Sequence, residues 1–245
     1  MIYVISDLHG YPMNKFTALL KKAGFSDNDF LYIIGDIIDR NGDGGVSMML
    51  WLIEQPNVQL ILGNHEAMLL SCDFLFDEIT EESINSFDTQ KIYLLNTYMY
   101  NGGAVTIESL KKLSKDQRIS IIDYFRECPL YEALSVNDKD YILVHSGFEN
   151  FSSDRKLSDY TADELLWTRP DLSDRYFDDI TTILGHTPTL YYGEEYRGRI
   201  LRTDTWIDID TGTGRGEEAV LLRLDAGMEF RLSKDSSNNE NKEKL

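Results

Sequence analysis

The sequence predicts an α/β chain carrying a helical insertion, and three observations support that reading. Over the first 62 residues, short apolar runs rich in β-forming residues alternate with longer amphipathic stretches. That alternation favours parallel strands joined by right-handed helical crossovers. Residues 66 to 127 then read as mostly helical, too long for a loop and too poor in strands to extend a sheet. Between Trp206 and Leu232 short alternating runs return and predict antiparallel strands.

Met1 to Ile5 is the first predicted strand. Pro12 suits the first turn of a helix from Met13 to Ala23, which sets Phe16, Leu19 and Leu20 on one face and ends at Gly24. Phe30 to Ile34 is too short for a globular helix and reads as a buried strand. Gly42-Asp43-Gly44-Gly45 leads into a helix from Val46 to Glu54, which Pro56 stops before a third strand, Val58 to Leu62. Inside the helical segment the clearest break is Asn101-Gly102-Gly103. Strands resume at Asp140 and return at Ile180 to Leu184, with a capped helix from Thr161 to Leu166 between them. Ala219 to Leu224 and Met228 to Leu232 are the last strands, and the polar segment Ser233 to Leu245 is predicted to be disordered. This gives one domain over 1–232, with 66–127 as a mostly helical cap insertion and 233–245 as a tail.

Composition narrows the setting. At 245 residues, 42% hydrophobic and 11% aromatic, the chain can bury a large core. No apolar run approaches the ~20 residues that span a bilayer. The first run meets Asp7 and lacks a basic lead, so it does not read as a signal peptide. Two widely spaced cysteines, Cys72 and Cys128, make neither a disulfide framework nor a zinc pattern. The expectation is a cytoplasmic protein with no membrane partner. A net charge of −18 without a basic stripe argues against a nucleic-acid partner. The acidity lies in the body, notably from Asp73 to Asp88, where six acids meet no base. Such a surface is either a solvated, solubilising face or a filter against acidic macromolecules.

Five predicted strands run into metal-binding residue types. They lead to Asp7 and His9, to Asp36, Asp39 and Arg40, to Asn64, His65 and Glu66, to His145, and to His186. The chain has four histidines, and all follow strands in this way. Sites in open α/β sheets collect at the carboxyl ends of strands. Asp7-x-His9 places two ligands on one side of an extended backbone, and Asp36, from the neighbouring strand, can bridge two metals. Asn64, His145 and His186 would complete a second metal. Mixed oxygen and nitrogen ligation suits Mn, Fe or Zn better than Ca. Asn64 can also be read as the cap of the helix that follows it, and His9 or His186 alone as a structural histidine.

Asp7-Leu8-His9-Gly10, Gly35-Asp36-Ile37-Ile38-Asp39-Arg40, Gly63-Asn64-His65-Glu66, His145-Ser146-Gly147 and Gly185-His186-Thr187 resemble, in order and spacing, the motifs of the calcineurin-like metallophosphoesterases. Within them they look like the serine/threonine phosphoprotein phosphatases, over roughly residues 1 to 225. Asn101-Gly102-Gly103 with Thr106, and Leu165-Leu166-Trp167-Thr168-Arg169, look like segments of the bacterial members.

The resemblance implies an α+β architecture, a four-layer β-sandwich flanked by helices with a dimetal centre on one edge. It implies that Asp7, His9 and Asp36 hold one divalent ion and that Asp36, Asn64, His145 and His186 hold the other, Mn²⁺ first and Fe or Zn otherwise. His65 matches the family's proton donor, Asp39 the carboxylate that orients it, and Arg40 and Arg169 the phosphate clamps. The family's attack on phosphorus by a metal-bridging hydroxide needs no phosphoenzyme. One position departs from the pattern: glycine normally follows Asp-Arg, and here Asn41 does. If that position needs positive φ, asparagine tolerates it with modest strain.

The expected substrate is a phosphorylated protein or peptide. The rival is a dinucleoside polyphosphate or another small phosphoester; the symmetrical dinucleotide hydrolases resemble this pattern but lack the aspartate that stands here as Asp39. Tyr93, Tyr98 and Tyr100 of the insertion are possible base-stacking aromatics for that rival. A metal-stabilised scaffold without catalysis is the remaining alternative, yet every expected position is filled.

Overall fold

The computed structural model describes residues 1–76, 80–81 and 86–233. Almost all of the predicted tail, and part of the acidic stretch before Asp88, lie outside the described residues.

The first half builds as its apolar periods dictate. Strand β1 (Ile2–Ile5), helix α1 (Met13–Ala23), β2 (Phe30–Ile34), α2 (Val46–Ile53) and β3 (Val58–Ile61) follow in order. Helix α1 ends on Gly24 at φ 75°, whose N–H caps the Leu20 and Lys21 carbonyls. β1 pairs parallel with β2, and β2 parallel with β3. Then come α3 (Asn64–Ser71), α4 (Thr89–Tyr100), α5 (Ala104–Leu110) and α6 (Lys115–Glu127). Helix α6 starts from a reciprocal Ser114–Gln117 capping box.

The second half contributes β4 (Tyr131–Val136), β5 (Lys139–Val144), α7 (Ala162–Leu166), β6 (Ile180–Leu184), β7 (Leu201–Arg202), β8 (Trp206–Asp208), β9 (Leu221–Arg223) and β10 (Met228–Phe230). The strands form two mixed five-stranded sheets, β10-β9-β1-β2-β3 and β4-β5-β6-β8-β7. The hairpin β9–β10 is antiparallel as expected and closes the first sheet against β1. Trp206 corrects the reading of the C-terminal run: β8 lies parallel to β6 in the second sheet. β4, just before β5 and antiparallel to it, carries mixed polarity and was not anticipated.

Alternation within each strand stacks the layers. Tyr3, Ile5, Leu31 and Ile33 face the helices, in one core with Phe16, Leu52, Leu69, Tyr98, Ile121 and Phe125. Val4, Ile34, Ile61, Leu143 and Ile183 meet between the two sheets. Ile142, Val144, Leu184 and Trp206 pack outward onto Phe148, Tyr160 and Leu165. Both faces of each sheet are covered, which explains why the strands read as near-continuous apolar runs. Among the described residues, no helix is long and apolar enough to cross a membrane.

Candidate active site

The carboxyl ends of β1, β2, β3, β5 and β6 bring their following loops to one place. Those loops are held in left-handed backbone conformations at Asp7 (φ 51°), His9 (42°), Asp36 (55°), Asp39 (74°), Arg40 (67°) and His186 (67°). An L-residue there costs roughly 1 to 2 kcal/mol, less for aspartate, so strain is concentrated at this site. Hydrogen bonds across the strand ends maintain it: Asp7 N–H donates to Gly35 (3.1 Å), His9 N–H to Asp36 (2.9 Å) and Gly10 N–H to Ile37 (2.9 Å). The buried Glu66 carboxylate braces the β2 loop further, accepting from the N–H groups of Asp36 (2.8 Å), Ile37 (2.9 Å) and Gly63 (3.0 Å).

Asp7, His9, Asp36, Asn64, His145 and His186 converge and are buried, none more than 7% exposed. His9 and His145 donate Nδ1–H to the carbonyls of Ile38 and Ile34, each at 3.0 Å. A carbonyl only accepts, so the Nε2 of each ring keeps a free lone pair. His9 Nε2 lies 3.6 Å from Asp36 Oδ2 and 4.0 Å from Asp7 Oδ1, while His145 Nε2 lies 3.4 Å from Asp36 Oδ1. Asn64 Oδ1 sits 2.9 Å from both His145 Nε2 and His186 Nδ1. Since His145 Nε2 and Asn64 Oδ1 are both acceptors, a cation between them would satisfy what hydrogen bonding leaves opposed. Asp7 Oδ1 and His186 Nε2 are buried with no hydrogen-bond partner among the described residues. Unprotonated imidazoles, carboxylates and an amide oxygen in this arrangement fit divalent transition metals. Helix α3 takes Gly63, not Asn64, as its N-cap, so the helix-cap reading of Asn64 falls away.

Electrostatics agree with a cation site. Burial, reinforced by Asp210, pushes the Asp7 carboxyl well above the ordinary range; burial, then Asp7 and Glu66, do the same to Asp36. Burial draws His9 well down, His145 down to about 3, and His186 down as well. Among the described residues, two groups of three side chains offer donor atoms within 4.8 Å of one another: His9, Asp36 and His65, and Asp36, His145 and His186. Asp36 belongs to both. His65 differs in that both of its ring nitrogens meet partners of complementary hydrogen-bonding character, Nδ1 the acceptor Asp39 Oδ2 at 2.6 Å and Nε2 the donor guanidinium of Arg40 at 2.9 Å. Arg40 only donates, so His65 is the neutral tautomer with its hydrogen on Nδ1. Burial lowers its pKa against the pull of Asp39.

Arg40 and Arg169 are both exposed at the mouth of the site. Arg169 follows α7, where Thr168 N–H is tied to Ser146 Oγ (3.0 Å), and its own guanidinium reaches Thr187 Oγ1 at 3.3 Å. The motif after β6 and the motif after α7 therefore meet.

Sequence reasoning missed several neighbours. Asp208, the last residue of β8, and Asp210, two residues further on, are both buried, and Asp210 helps raise Asp7. Trp206-Ile207-Asp208 repeats the signal of an apolar run ending in an acid, so they were findable. Tyr98 Oη and Thr106 Oγ1 reach Asp39 Oδ1 at 2.8 and 2.6 Å, and no local pattern announces those contacts. Tyr98 is fully buried and cannot stack on a base, whereas Tyr93 and Tyr100 are exposed.

Similarity to known proteins follows the same lines. The chain is 24% identical over 212 residues to "Serine/threonine-protein phosphatase 2" of Salmonella typhimurium, covering 86% of this chain and 87% of that one. It is 39% identical over 71 residues to the symmetrical bis(5'-nucleosyl)-tetraphosphatase of Buchnera aphidicola, but spans only 26% of that protein. A structure described as a candidate diadenosine tetraphosphatase superposes with TM-score 0.60 at 16% identity, covering 94% of this chain and 92% of the other. A Saccharomyces cerevisiae serine/threonine phosphatase gives 0.53 at 16%, covering 95% and 80%. At such identities these two establish the shared fold. The family model "Calcineurin-like phosphoesterase" matches residues 1–209, most of the chain, and the protein therefore belongs to the calcineurin-like phosphoesterases, a family of hydrolases.

Proposed function

We propose that the protein is a dimetal-dependent serine/threonine phosphoprotein phosphatase of the cytoplasm, where its free cysteines Cys72 and Cys128 stay reduced. Asp7, His9 and Asp36 would hold one divalent ion and Asp36, Asn64, His145 and His186 the other, with Mn²⁺ the first expectation. Bound there, such ions supply charge that makes water nucleophilic near neutral pH and offsets the charge of phosphate oxygens. The remaining work falls to side chains. Arg40 and Arg169 pair with phosphate oxygens through their forked N–H groups. His65 gives a proton from Nε2 to the departing oxygen, while Asp39 fixes the ring through Nδ1. In this structure Nε2 is unprotonated and accepts from Arg40. Before the transfer Arg40 must therefore turn from His65 to the phosphate, and Nε2 must take up a proton from solvent, making the ring the imidazolium that Asp39 stabilises.

The observation that carries this reading is the Asp39–His65 pair, 2.6 Å apart and buried, beside Arg40. A serine or threonine alkoxide is a poor leaving group and needs an acid; a nucleotide phosphate leaves with little help. A second reading, dinucleoside polyphosphate hydrolysis, is supported by the local 39% identity to the Buchnera tetraphosphatase and by exposed Tyr93 and Tyr100. Competition between phosphoserine peptides and a dinucleoside tetraphosphate, with Mn²⁺ at moderate salt, separates them. Higher kcat/KM for the peptides supports the phosphatase; a clear preference for the dinucleotide overturns it and leaves phosphoester hydrolysis standing.

A further inference from the structure

The motif Asn101-Gly102-Gly103 with Thr106 has no part in the chemistry described so far, yet it lies against the acid pair. Asp39 is fully buried and spends its two oxygens differently. Oδ2 faces His65 Nδ1 at 2.6 Å. Oδ1 accepts from the hydroxyls of Tyr98, at the end of α4, and Thr106, in α5, at 2.8 and 2.6 Å. Thr106 Oγ1 in turn accepts from the Asp39 backbone N–H at 3.0 Å, so one hydroxyl grips both the backbone and the side chain of Asp39. The two glycines allow the approach. Gly102, at φ 100°, accepts from Arg40 N–H at 3.2 Å, and a Cβ there would stand 3.0 Å from Arg40 Cγ. A Cβ on Gly103 would enter the Tyr98 ring, 2.6 Å from its Cε2.

We propose that Tyr98 and Thr106 are positioning residues for proton donation, two hydroxyls from the helical insertion that fix the Asp39 carboxylate so that its other oxygen aims His65 at the leaving group. This rests on the reading of His65 as the acid. A carboxylate held on one side only can rotate about its Cβ–Cγ bond; one oxygen held by two donors sets the plane of the other. The insertion thus shapes the reaction from behind the site, without touching substrate. Loss of either hydroxyl leaves Asp39 and His65 in place but poorly aligned, and second-sphere losses of this kind typically cost about 10- to 100-fold in activity.

The test compares Tyr98→Phe, Thr106→Val and the double variant with His65→Asn, on a phosphoserine peptide and an activated aryl phosphate. Tyr98→Phe and Thr106→Val should each lower kcat on the peptide about tenfold and on the aryl ester much less, with KM nearly unchanged. Thr106→Ser, which keeps the hydroxyl, should restore the peptide rate. In metal-free protein the downfield NMR signal of the His65 Nδ1–H should shift or broaden in Thr106→Val and return in Thr106→Ser. A selective loss in His65→Asn without one in the hydroxyl variants overturns the positioning role and leaves the acid standing. Equal loss on both substrates in His65→Asn itself overturns the acid and this inference together.

Discussion

Asp36→Asn is the most informative single change, because the same carboxylate stands in both groups of candidate ligands. The replacement is isosteric. Its carbonyl oxygen can still accept from His65 N–H, now 3.0 Å from Asp36 Oδ1, so the β2 loop keeps its anchor. The charge, however, disappears. Removing one partner of a buried charge pair costs about 3 to 5 kcal/mol, roughly 10²- to 10⁴-fold in affinity, and here it applies to each ion. The metal-free protein should respond in the opposite direction. Asp36 is buried beside Asp7 and Glu66, and its folded pKa is raised well above 3.8. A carboxyl with a raised folded pKa contributes stability that is full below its unfolded pKa and is lost as pH rises toward the folded value. The neutral amide escapes that loss. In chelator, Asp36→Asn should therefore be more stable than the parent at pH 7, the gap closing toward about pH 4. Metal analysis, calorimetric titration with Mn²⁺ and urea unfolding in chelator measure both halves. A variant that keeps two metals and full turnover, or that is markedly less stable than the parent without metal, refutes the reasoning.

Two further outcomes follow from the same geometry. His65→Asn should retain metal and lose turnover by about 10²- to 10⁴-fold on alkyl phosphates, with a smaller loss on an activated aryl phosphate; parallel kinetics and metal analysis check it, and metal loss would make His65 a ligand. The stability gained on metal loading, read from paired urea titrations with and without chelator, should grow from about pH 4 to pH 7: Asp210 is pushed up to about 6 and Glu66 to about 7, so metal-free protein loses stability across that window as they ionise; a flat difference would show that these acids do not feel the site.

The convergence of the candidate donors was legible because each follows an apolar run, and strand ends in parallel sheets share an edge. The allocation of strands to two sheets was less so. β8 is three residues long, and nothing in Trp206-Ile207-Asp208 distinguishes a parallel neighbour of β6 from a partner of the C-terminal hairpin. The helical insertion misled at Tyr98 for a related reason. Tyr93, Tyr98 and Tyr100 look equivalent in sequence, but Tyr98 is 0% exposed and Tyr100 93%, because only Tyr98 faces the core shared with β1–β3. Its contact with Asp39 spans 59 positions, a pairing that only tertiary packing creates.

Asn41 shows how a local rule fails when neighbours absorb the constraint. A glycine-like position predicts positive φ, yet Asn41 is not among the positive-φ residues; Asp39 and Arg40 take that conformation instead. Asparagine is thus unstrained, and its side chain is used: Nδ2–H donates to the His9 carbonyl at 3.1 Å and to the Gly214 carbonyl at 3.4 Å. The amide joins three loops at the mouth of the site. Asn41→Gly would relieve no backbone strain, remove both hydrogen bonds and add unfolded-chain entropy. Those losses sum to about 1 to 2 kcal/mol at an exposed position. For a chain of this size that is a fall of roughly 2 to 8 °C in melting temperature. Because Arg40 is the residue just before it, KM for phosphopeptide should rise while the leaving-group dependence set by His65 stays as it was. A higher melting temperature in Asn41→Gly would mean that the backbone at this position is strained after all.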